Sequence, residues 1–411
     1  MKKNLISLIF TISLIFPVVA HAESSFWQIQ SVDTMKYSRD LAREKASDPS
    51  FTITIESQVK NISDLGATHV AIGTPYDEEF VPFLTKWVTA ARKNNLKVWF
   101  RGNFSGWEGW FDYPKISTED HPRLIREFIT KHPDLFEDGD IFTPCPECEN
   151  GGPGDPRSTG DIEGFRNMLI GLREHTIFAF HLVGKKVTVG YFSMNGDVAK
   201  LAMDKVTTQK LGGVVTIDHY VKDPEKLNQD VTEIAEMSGG KILLGEIGAP
   251  IPDIHGAMTE SEQNAWVEKT LSLLSNNHNV IGLNYWVLEG GTTGIQRGIQ
   301  KYASSDTLSS YFKPKVVTGT ITDELRNPVQ DVNVAYDGRS TNSNEQGSFK
   351  IYLVPNLDQV IFTKTGFKQK EITISENIVS EDIVLIKTKE NLLFKIQKFF
   401  AKISSLFTRE S

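Results

Sequence analysis

Two cysteines and two glutamates lie within five consecutive residues of the stretch IFTPCPECENGG, residues 141–152. The spacing of Cys145 and Cys148 is that of a C-x-x-C redox pair. The carboxylates of Glu147 and Glu149 could instead act as general acid, general base or nucleophile. The stretch therefore raises three hypotheses: thiol chemistry, a metal site, or a catalytic carboxylate at the end of a strand.

Thiol and metal chemistry are the weaker hypotheses. Residues three apart in an extended strand are separated by roughly 10 Å, which a disulfide does not bridge without a turn. A disulfide that stiffens the strand end and two free thiols both stay open. The chain has 2 cysteines and 9 histidines, without H-x-H or H-E-x-x-H, whereas structural zinc requires four ligands. We therefore expect no metal and no cofactor.

A second glutamate, Glu246, occupies a comparable position in the segment LLGEIGAP, residues 243–250. It lies between Gly245 and Ile247 in an otherwise apolar run. A charge in such surroundings is costly unless it has a partner or a task. The two segments therefore predict a pair of functional carboxylates, Glu147 and Glu246.

Between residues 25 and 315, short apolar runs alternate with segments of helical periodicity. In the first helical segment, Ile53, Val59 and Ile62 can share one face. The runs with strand character are 27–32, 69–77, 97–110, 140–147, 186–195, 214–220, 241–250 and 280–291. Nearly continuous apolar strands with helical returns are typical of parallel sheets covered on both faces. Eight such units favour a (β/α)8 TIM barrel over an open doubly wound sheet.

In such a barrel, functional residues lie at the carboxyl ends of the strands. Glu147 would end the fourth strand and Glu246 the seventh, on opposite sides of the barrel mouth, where both can face one substrate. Glu149 is the alternative to Glu147 as the functional carboxylate of the fourth strand, because in an extended strand its side chain points the same way, one step further out.

With these positions, residues 25–312 resemble the large clan of retaining (β/α)8 glycoside hydrolases that includes cellulases, mannanases and β-galactosidases. The resemblance implies Glu147 as acid/base and Glu246 as nucleophile. Such a mechanism requires one protonated and one ionised carboxyl group about 5–5.5 Å apart. The clan has an asparagine directly before the acid/base, which binds the sugar 2-hydroxyl, whereas this chain has Pro146. Asn150 or Asn103 could take over that contact.

Further candidates for sugar binding lie at the predicted strand ends. The resemblance implies a histidine or tyrosine after strand six, where this chain has His219 and Tyr220. It also implies a tryptophan after strand eight that stacks on a sugar ring, and this chain has Trp286 there. Aromatic faces suit the C–H faces of pyranose rings. A core tyrosine beside a packing histidine is the alternative at 219–220. The remaining candidates are Arg101, Asn103, Trp107, Trp110, Asn150, Tyr191 and Asn195, with Tyr76 and Asp77 as weaker ones.

The chain begins with two lysines, an apolar run and the A-x-A step that ends at Ala22. This order predicts a secretory signal peptide over residues 1–22, cleaved before Glu23; an uncleaved anchor is the alternative. We therefore expect an exported protein, secreted or at the cell surface, with the barrel over residues 23–314.

After Pro314 the pattern changes to short alternating strands between regular turn signals, which predicts a small β-sandwich over residues 316–388. The segment resembles carboxypeptidase regulatory-like domains, which implies a transthyretin-like sandwich that serves as a spacer or adhesion module. The residues that carry the resemblance are Gly319, Asp323, Pro328, Val329, Gly347, Phe349, Gly366 and Phe367.

Residues 389–411 combine helically spaced apolar residues with Lys395, Lys398 and Lys402. This segment is too short and too charged to cross a bilayer, but it could lie on a membrane or cell-envelope surface, or pack on the sandwich. A formal net charge of -8 argues against nucleic acid as a partner.

The sequence therefore predicts a secreted retaining glycoside hydrolase that acts on a glycan or polysaccharide. The alternative is a non-catalytic carbohydrate-binding barrel, which Pro146 and the unusual cysteines favour. A thiol–disulfide enzyme rests only on the C-P-E-C spacing.

Overall fold

The computed structural model describes residues 26–34, 39–102, 104, 116–151, 154–290, 298–336, 339–354, 359–374 and 380–388. The predicted signal peptide 1–22 and the predicted C-terminal helix 389–411 lie outside these ranges. Three predicted sugar contacts also lie outside them, namely Asn103, Trp107 and Trp110. Within the described ranges, no helix combines the length and the apolar character that a membrane span needs.

One parallel sheet of nine strands forms the larger part of the fold. The strands are β1 (Ile29–Asp33), β2 (His69–Ile72), β3 (Lys97–Phe100), β4 (Ile141–Phe142), β5 (Thr188–Val189), β6 (Ser193–Asn195), β7 (Val214–Asp218), β8 (Lys241–Ile247) and β9 (Val280–Tyr285). Their order is β5-β4-β3-β2-β1-β9-β8-β7-β6. Each of the eight predicted apolar runs contains one strand, or in one case two.

The two edges of this sheet are neighbours in the chain. β5 pairs with β4, and β6 pairs with β7 at the other edge of the order. Only residues 190–192 separate β5 from β6. Because so short a link cannot span a flat nine-stranded sheet, the sheet curls until its edges come together. We interpret β5 and β6 as two parts of one fifth strand, interrupted where Tyr191 adopts a φ of 50°.

Helices follow the strands and cover the outside of the sheet. They are α1 (Arg39–Ala46), α2 (Phe51–Asp64), α3 (Val81–Lys93), α4 (Asp120–Lys131), α5 (Cys148–Gly151), α6 (Pro156–Thr159), α7 (Ile162–Leu182), α8 (Gly196–Ala202), α9 (Lys205–Lys210), α10 (Pro224–Ser238), α11 (Pro252–His255), α12 (Glu260–Asn276) and α13 (Ala303–Phe312). Local signals set several of their ends. α12 begins with a capping box between Thr259 and Glu262. α10 is followed by Gly239 with a φ of 64°, a conformation that glycine adopts without steric cost.

The buried face of α2 differs from the predicted one. Val59 and Ile62 are buried, but Ile53 is 72% exposed and Ile55 takes its place in the core. Positions 55, 59 and 62 follow the i, i+4, i+7 spacing of a single helix face, whereas position 53 lies on the opposite side. The prediction of a helix is therefore confirmed, and the prediction of its inward face is wrong at Ile53.

Two smaller sheets follow the barrel-like sheet. One has the order β13-β10-β16 and the other the order β12-β11-β14-β15. Their strands are β10 (Lys315–Asp323), β11 (Asn333–Tyr336), β12 (Arg339–Asn342), β13 (Ser348–Leu353), β14 (Gln359–Thr363), β15 (Lys370–Thr373) and β16 (Ile383–Leu385). Phe349 and Phe362, one from each sheet, meet with ring centroids 5.4 Å apart. This region is therefore all-β, with apolar side chains between its two sheets; its transthyretin-like character stays a prediction.

The β region docks at the amino ends of the large sheet. Arg339 donates to the Ser272 carbonyl at 3.0 Å and to Ser275 Oγ at 2.6 Å near the end of α12. The Arg339 guanidinium lies 4.9 Å from the ring centroid of Phe26. The ring centroids of Phe26 and Tyr352 are 5.8 Å apart. Phe26 precedes β1, and α12 leads into β9. The contact therefore lies at the end of the sheet opposite the carboxyl ends of its strands.

A buried ion pair joins Arg92 on α3 to Asp140, directly before β4. The Asp140 carboxylate accepts from both Arg92 Nη atoms, at 2.8 and 2.5 Å, and from the main-chain N–H of Val98 at 2.9 Å. Asp140 is 0% exposed. We expect Asp140→Ala to lower the free energy of unfolding by about 3–5 kcal/mol, because it removes the buried one of the two carboxylates that pair with the largely buried guanidinium of Arg92.

Urea denaturation followed by circular dichroism measures this loss. Asp134→Ala, at an exposed position six residues before Asp140, is the matched control and is expected to change the free energy of unfolding by less than about 0.5 kcal/mol. Equal effects of the two substitutions would contradict the role given to the ion pair.

Candidate active site

The guanidinium of Arg101 lies at the centre of a cluster of buried polar groups. Arg101 directly follows β3 and is 1% exposed. Its Nη2 lies 2.8 Å from Glu246 Oε1, 3.2 Å from Asp218 Oδ2 and 3.2 Å from Ser193 Oγ. Its Nη1 lies 3.7 Å from Asp33 Oδ2. Four strands, β1, β6, β7 and β8, thus place polar side chains around one cation from β3.

Two further groups complete this cluster. Arg101 Nη1 donates to the carbonyl oxygen of Gly245, directly before Glu246 in β8. Asn284, buried in β9, donates from Nδ2 to the same carbonyl at 2.9 Å and to Asp33 Oδ2 at 3.3 Å. The main chain of β8 is therefore held from inside the sheet at the residue that precedes Glu246.

Glu246 receives donors on both carboxylate oxygens. Arg101 donates to Oε1, and the Tyr220 hydroxyl donates to Oε2 at 2.8 Å. The Glu246 carbonyl also accepts from the main-chain N–H of His219 at 3.0 Å. Two donors, one of them charged, stabilise the ionised form of a buried carboxylate and fix the direction of its oxygens.

The charges of this cluster shift the pKa values of both donors. Burial alone would lower the pKa of Arg101, but the attraction of Asp218, Glu246, Asp33 and Glu147 is larger and raises it above its usual range. Burial, together with the negative charges of Glu246 and Asp218, raises the pKa of Tyr220 well above 10. Arg101 therefore stays a cation and Tyr220 stays a hydrogen-bond donor over the whole physiological pH range.

Glu147 reaches the same cluster from a tight turn beyond β4. The sequence predicts an extended strand up to residue 147, but β4 ends at Phe142. Cys145 and Cys148 form a disulfide with their Cα atoms 5.4 Å apart, and Glu147 between them has a φ of 47°. The expectation of an extended 145–148 segment is therefore wrong, and the turn is what allows the disulfide.

Glu147, Asp218 and Glu246 come together in space. One carboxylate oxygen from each lies within 4.8 Å of the corresponding oxygens of the other two. Three carboxylates at this spacing could hold a metal ion. Arg101 already supplies a positive charge to Asp218 and Glu246, so the chemistry of the donor set does not require one. The expectation of a metal-free site stays a prediction.

Glu149 does not point the same way as Glu147. It lies in α5, where successive side chains diverge around the helix, and not in an extended strand. Its Oε1 accepts from the main-chain N–H of Asn195 at 2.6 Å, and the residue is 3% exposed. Burial is the main cause that raises the pKa of Glu149 from 4.5 to about 7. Glu149 therefore anchors the turn to the end of β6.

The ring of His219 contacts α10 and α8, and its role in sugar binding stays a prediction. Its Nε2 lies 3.1 Å from Asp230 Oδ2 on α10, a carboxylate that Lys200 and Lys226 also contact. A Cβ added at Gly196 would lie 2.6 Å from its Nδ1, so the ring fills the space beside that glycine. Adjacent residues at a strand end face opposite sides, which directs His219 towards the helices and Tyr220 to Glu246.

The other described candidates lie in different surroundings. Trp286 is 4% exposed and packs with Val287, Tyr220 and Ile251, beside the cluster. Tyr191 packs against Trp99, with ring centroids 6.4 Å apart, among apolar side chains of β1, β2, β3, β4 and β8.

Four candidates have mainly structural contacts. Asn150 is exposed, and its N–H donates to the Glu147 carbonyl at 2.9 Å. Asn195 contributes its main-chain N–H to Glu149. Tyr76 is a core residue, stacked 5.1 Å from Phe142, and Asp77 pairs with Arg39 at 2.7 Å.

Sequence reasoning missed four members of the cluster: Asp33, Ser193, Asp218 and Asn284. Asp33 and Asp218 each occupy the last position of an apolar strand, as Glu246 lies near the end of β8. A carboxylate that closes a buried strand was therefore a usable signal for both. Ser193 and Asn284 carry no comparable signal, because small polar residues are common within strands.

The chain is similar in fold to several solved structures of glycoside hydrolases. A variant of GH5_18 from Bifidobacterium longum subsp. longum, in complex with Manβ1-4GlcNAc, has a TM-score of 0.52 and 15% identity over 73% of this chain and 84% of that one. A variant of GH5_18 from Streptomyces cattleya, also in complex with Manβ1-4GlcNAc, has a TM-score of 0.51 and 11% identity over 72% of this chain and 85% of that one. Likenesses at this identity show the fold of the chain.

The chain is also similar to β-glucuronidase 2 from Bacteroides uniformis, solved covalently bound to cyclophellitol-6-carboxylate aziridine. The TM-score is 0.50, and the identity is 11% over 87% of this chain and 46% of that one. The chain therefore spans about half the length of the β-glucuronidases that it matches. No model of a known protein family matches the sequence. No curated protein matches it either.

The raised pKa of Glu149 makes stability depend on pH. In the folded protein Glu149 holds its proton up to about pH 7, whereas in the unfolded chain a glutamate loses it near pH 4.5. The folded state therefore binds more protons in this interval, and stability falls as the pH rises from 4.5 to 7. Between these two pH values wild type should lose on the order of 3 kcal/mol of its free energy of unfolding through Glu149. We expect Glu149→Gln not to show this loss.

Urea unfolding of wild type and Glu149→Gln at pH 5 and pH 8 measures this pH dependence of stability. Glu236→Gln, at an exposed position on α10, is the control and should keep the wild-type pH dependence. If Glu149→Gln keeps it as well, Glu149 is ionised in the folded protein and its assigned state is wrong.

Proposed function

We propose that the protein is a glycoside hydrolase that cleaves O-glycosidic bonds of a glycan or polysaccharide by a retaining double displacement. The observation that carries this proposal is the approach of Glu147 and Glu246 from opposite sides of the curled sheet. Their nearest carboxylate oxygens lie within 4.8 Å. This spacing fits the roughly 5–5.5 Å of retaining enzymes and leaves too little room for the water of an inverting one.

In the first step, Glu246 attacks the anomeric carbon as nucleophile, and Glu147 donates a proton to the departing glycosidic oxygen. Glu246 suits the role of nucleophile because Arg101 and Tyr220 donate to its two oxygens and stabilise its charge. The product of this step is a covalent glycosyl-enzyme intermediate.

In the second step, Glu147, now ionised, removes a proton from a water molecule that attacks the same carbon and releases the sugar from Glu246. Glu147 suits both steps because it is half-buried and belongs to the group of carboxylates that includes Glu246.

Glu147 is the better candidate for the acid/base than Glu149. The raised pKa of Glu149 would suit an acid, but its carboxylate is bound to the Asn195 main chain. Only Glu147 of the two belongs to the group that includes Glu246. Position therefore decides between them, because a proton donor must first lie within reach of the bond that it protonates.

Substrate contacts follow from the neighbourhood of the carboxylates. Trp286 and Tyr220 form an aromatic wall beside Glu246, which suits the C–H face of a sugar ring. The predicted contacts Asn103, Trp107 and Trp110 follow β3 in the sequence, and Asn103 or Asn150 could bind the sugar 2-hydroxyl. We further propose export through residues 1–22, and a spacer or adhesion role for residues 316–388.

A non-catalytic sugar-binding protein is the second candidate, because Pro146 replaces the asparagine that precedes the acid/base in the clan. Oligosaccharide binding without turnover, unchanged by Glu147→Gln, would favour it. A thiol–disulfide enzyme has less support, since Cys145 and Cys148 are only 1% and 2% exposed and a substrate thiol could not reach them.

Removal of the nucleophile tests the proposal. Wild type is expected to turn over aryl glycosides of at least one common hexose or hexuronic acid, and Glu246→Ala is expected to lower kcat by roughly 10⁴-fold or more. Azide should partly restore turnover by occupying the vacated space and attacking the anomeric carbon. Glu236→Ala is the matched control; full activity of Glu246→Ala would exclude the assigned nucleophile.

Removal of the tyrosine donor tests the electrostatics. Tyr220→Phe should lower kcat/KM by roughly tenfold to a hundredfold, because one hydrogen bond to a charged group is lost. The ionised form of Glu246 then has less support, so the acid limb of the pH profile of kcat/KM should move to higher pH. Tyr352→Phe, in the β region, should leave the profile unchanged, and an unchanged profile in Tyr220→Phe would contradict the role given to its hydroxyl.

A further inference from the structure

We propose that the disulfide between Cys145 and Cys148 is a positioning device for the acid/base, which holds the main chain of Glu147 in the conformation that brings its carboxylate to Glu246. The inference rests on the proposed function. The cysteines touch neither substrate nor reacting atoms in this scheme, so they are positioning residues and not catalytic ones.

The first argument is the backbone of Glu147. Its φ of 47° lies in the left-handed region, which a residue with a Cβ avoids unless its surroundings impose it. The disulfide closes a ring over Cys145, Pro146, Glu147 and Cys148, with 5.4 Å between the terminal Cα atoms. The ring excludes the extended conformation, in which these Cα atoms would be roughly 10 Å apart. A closed ring therefore removes the main alternative available to Glu147.

The second argument is how the main chain of Glu147 is held. Its N–H donates to the Ser193 carbonyl at 2.8 Å, and its own carbonyl accepts from Asn150 at 2.9 Å. These two bonds and the disulfide fix the shape of the turn, and the shape of the turn sets the direction in which the Glu147 side chain leaves the main chain.

The third argument is where the turn is anchored. Ser193 and Asn195 are the first and last residues of β6, and they bind Glu147 and Glu149 respectively. Ser193 Oγ also accepts from Arg101, so the same residue contacts the turn and the cluster around Glu246. The disulfide bridges the part of the turn that carries Glu147, and both sulfur-bearing residues are buried. The brace is thus a permanent part of the folded site.

Loss of the brace should affect the two roles in the reaction unequally. Glu246 keeps its donors, so nucleophilic attack is preserved. Glu147 gains conformational freedom, so proton donation to the leaving oxygen is impaired. General acid catalysis contributes roughly 10²–10⁴-fold, but only for leaving groups that need a proton. The expected signature is therefore a rate loss that grows with the basicity of the leaving group.

The test compares wild type with the Cys145→Ser/Cys148→Ser double variant on phenyl, 4-nitrophenyl and 2,4-dinitrophenyl glycosides of glucose, galactose, mannose and glucuronic acid. For the sugar that wild type hydrolyses, kcat/KM on the phenyl glycoside should fall at least about tenfold more than on the 2,4-dinitrophenyl glycoside. The basic limb of the pH profile on the phenyl glycoside should also change. Glu147→Ala sets the upper limit of this selectivity, and Ser158→Ala, at an exposed position on α6, is the control expected to match wild type.

An equal loss on all leaving groups, or no loss, would overturn the inference, since a merely structural disulfide has no reason to distinguish them. If the double variant does not fold, wild type is compared before and after reduction by a phosphine in mild denaturant and return to buffer. The phosphine takes oxygen from water to become its oxide, and the S–S bond gains two electrons and two protons to give two thiols, which are counted by thiol titration. Absence of turnover by wild type on every glycoside would instead refute the proposed function.

Discussion

The contact between Arg101 and Glu246 is the constraint on which the rest of the site depends. A buried guanidinium and buried carboxylates are each costly alone, and they are tolerated because they neutralise one another. Arg101 extends from β3, whereas Glu246, Asp218 and Asp33 come from β8, β7 and β1. A shift in the register of any of these strands would separate the charges, so the cluster also specifies how the sheet is assembled.

Around this cluster, the two proposed catalytic groups are held in different ways. Glu246 is part of a strand and is fixed by donors to its side chain. Glu147 lies beyond a strand of only two residues, in a turn closed by a disulfide and bound to β6. The β region docks at the opposite end of the sheet, through Arg339 and Phe26, and therefore does not itself cover the carboxyl ends of the strands.

Local sequence patterns were sufficient for the strands of the large sheet and for the position of Glu246 within β8. They placed Glu147 at the end of the fourth strand, whereas it lies in a turn five residues beyond β4. The same reasoning failed where side-chain direction mattered. Ile53 is exposed on α2, and Glu149 lies in α5 instead of an extended strand, because direction depends on local backbone angles that residue types do not reveal.

By itself, the sequence determined the alternation of strands and helices, the all-β character of the C-terminal region and the presence of acids at strand ends, since these depend on neighbours along the chain. Only the tertiary structure decided which charges meet. Arg101 and Glu246 are 145 residues apart, and nothing in either segment identifies the other as its partner. Curling of the sheet brings them together, and the turn at 145–148 then brings Glu147 within reach of both.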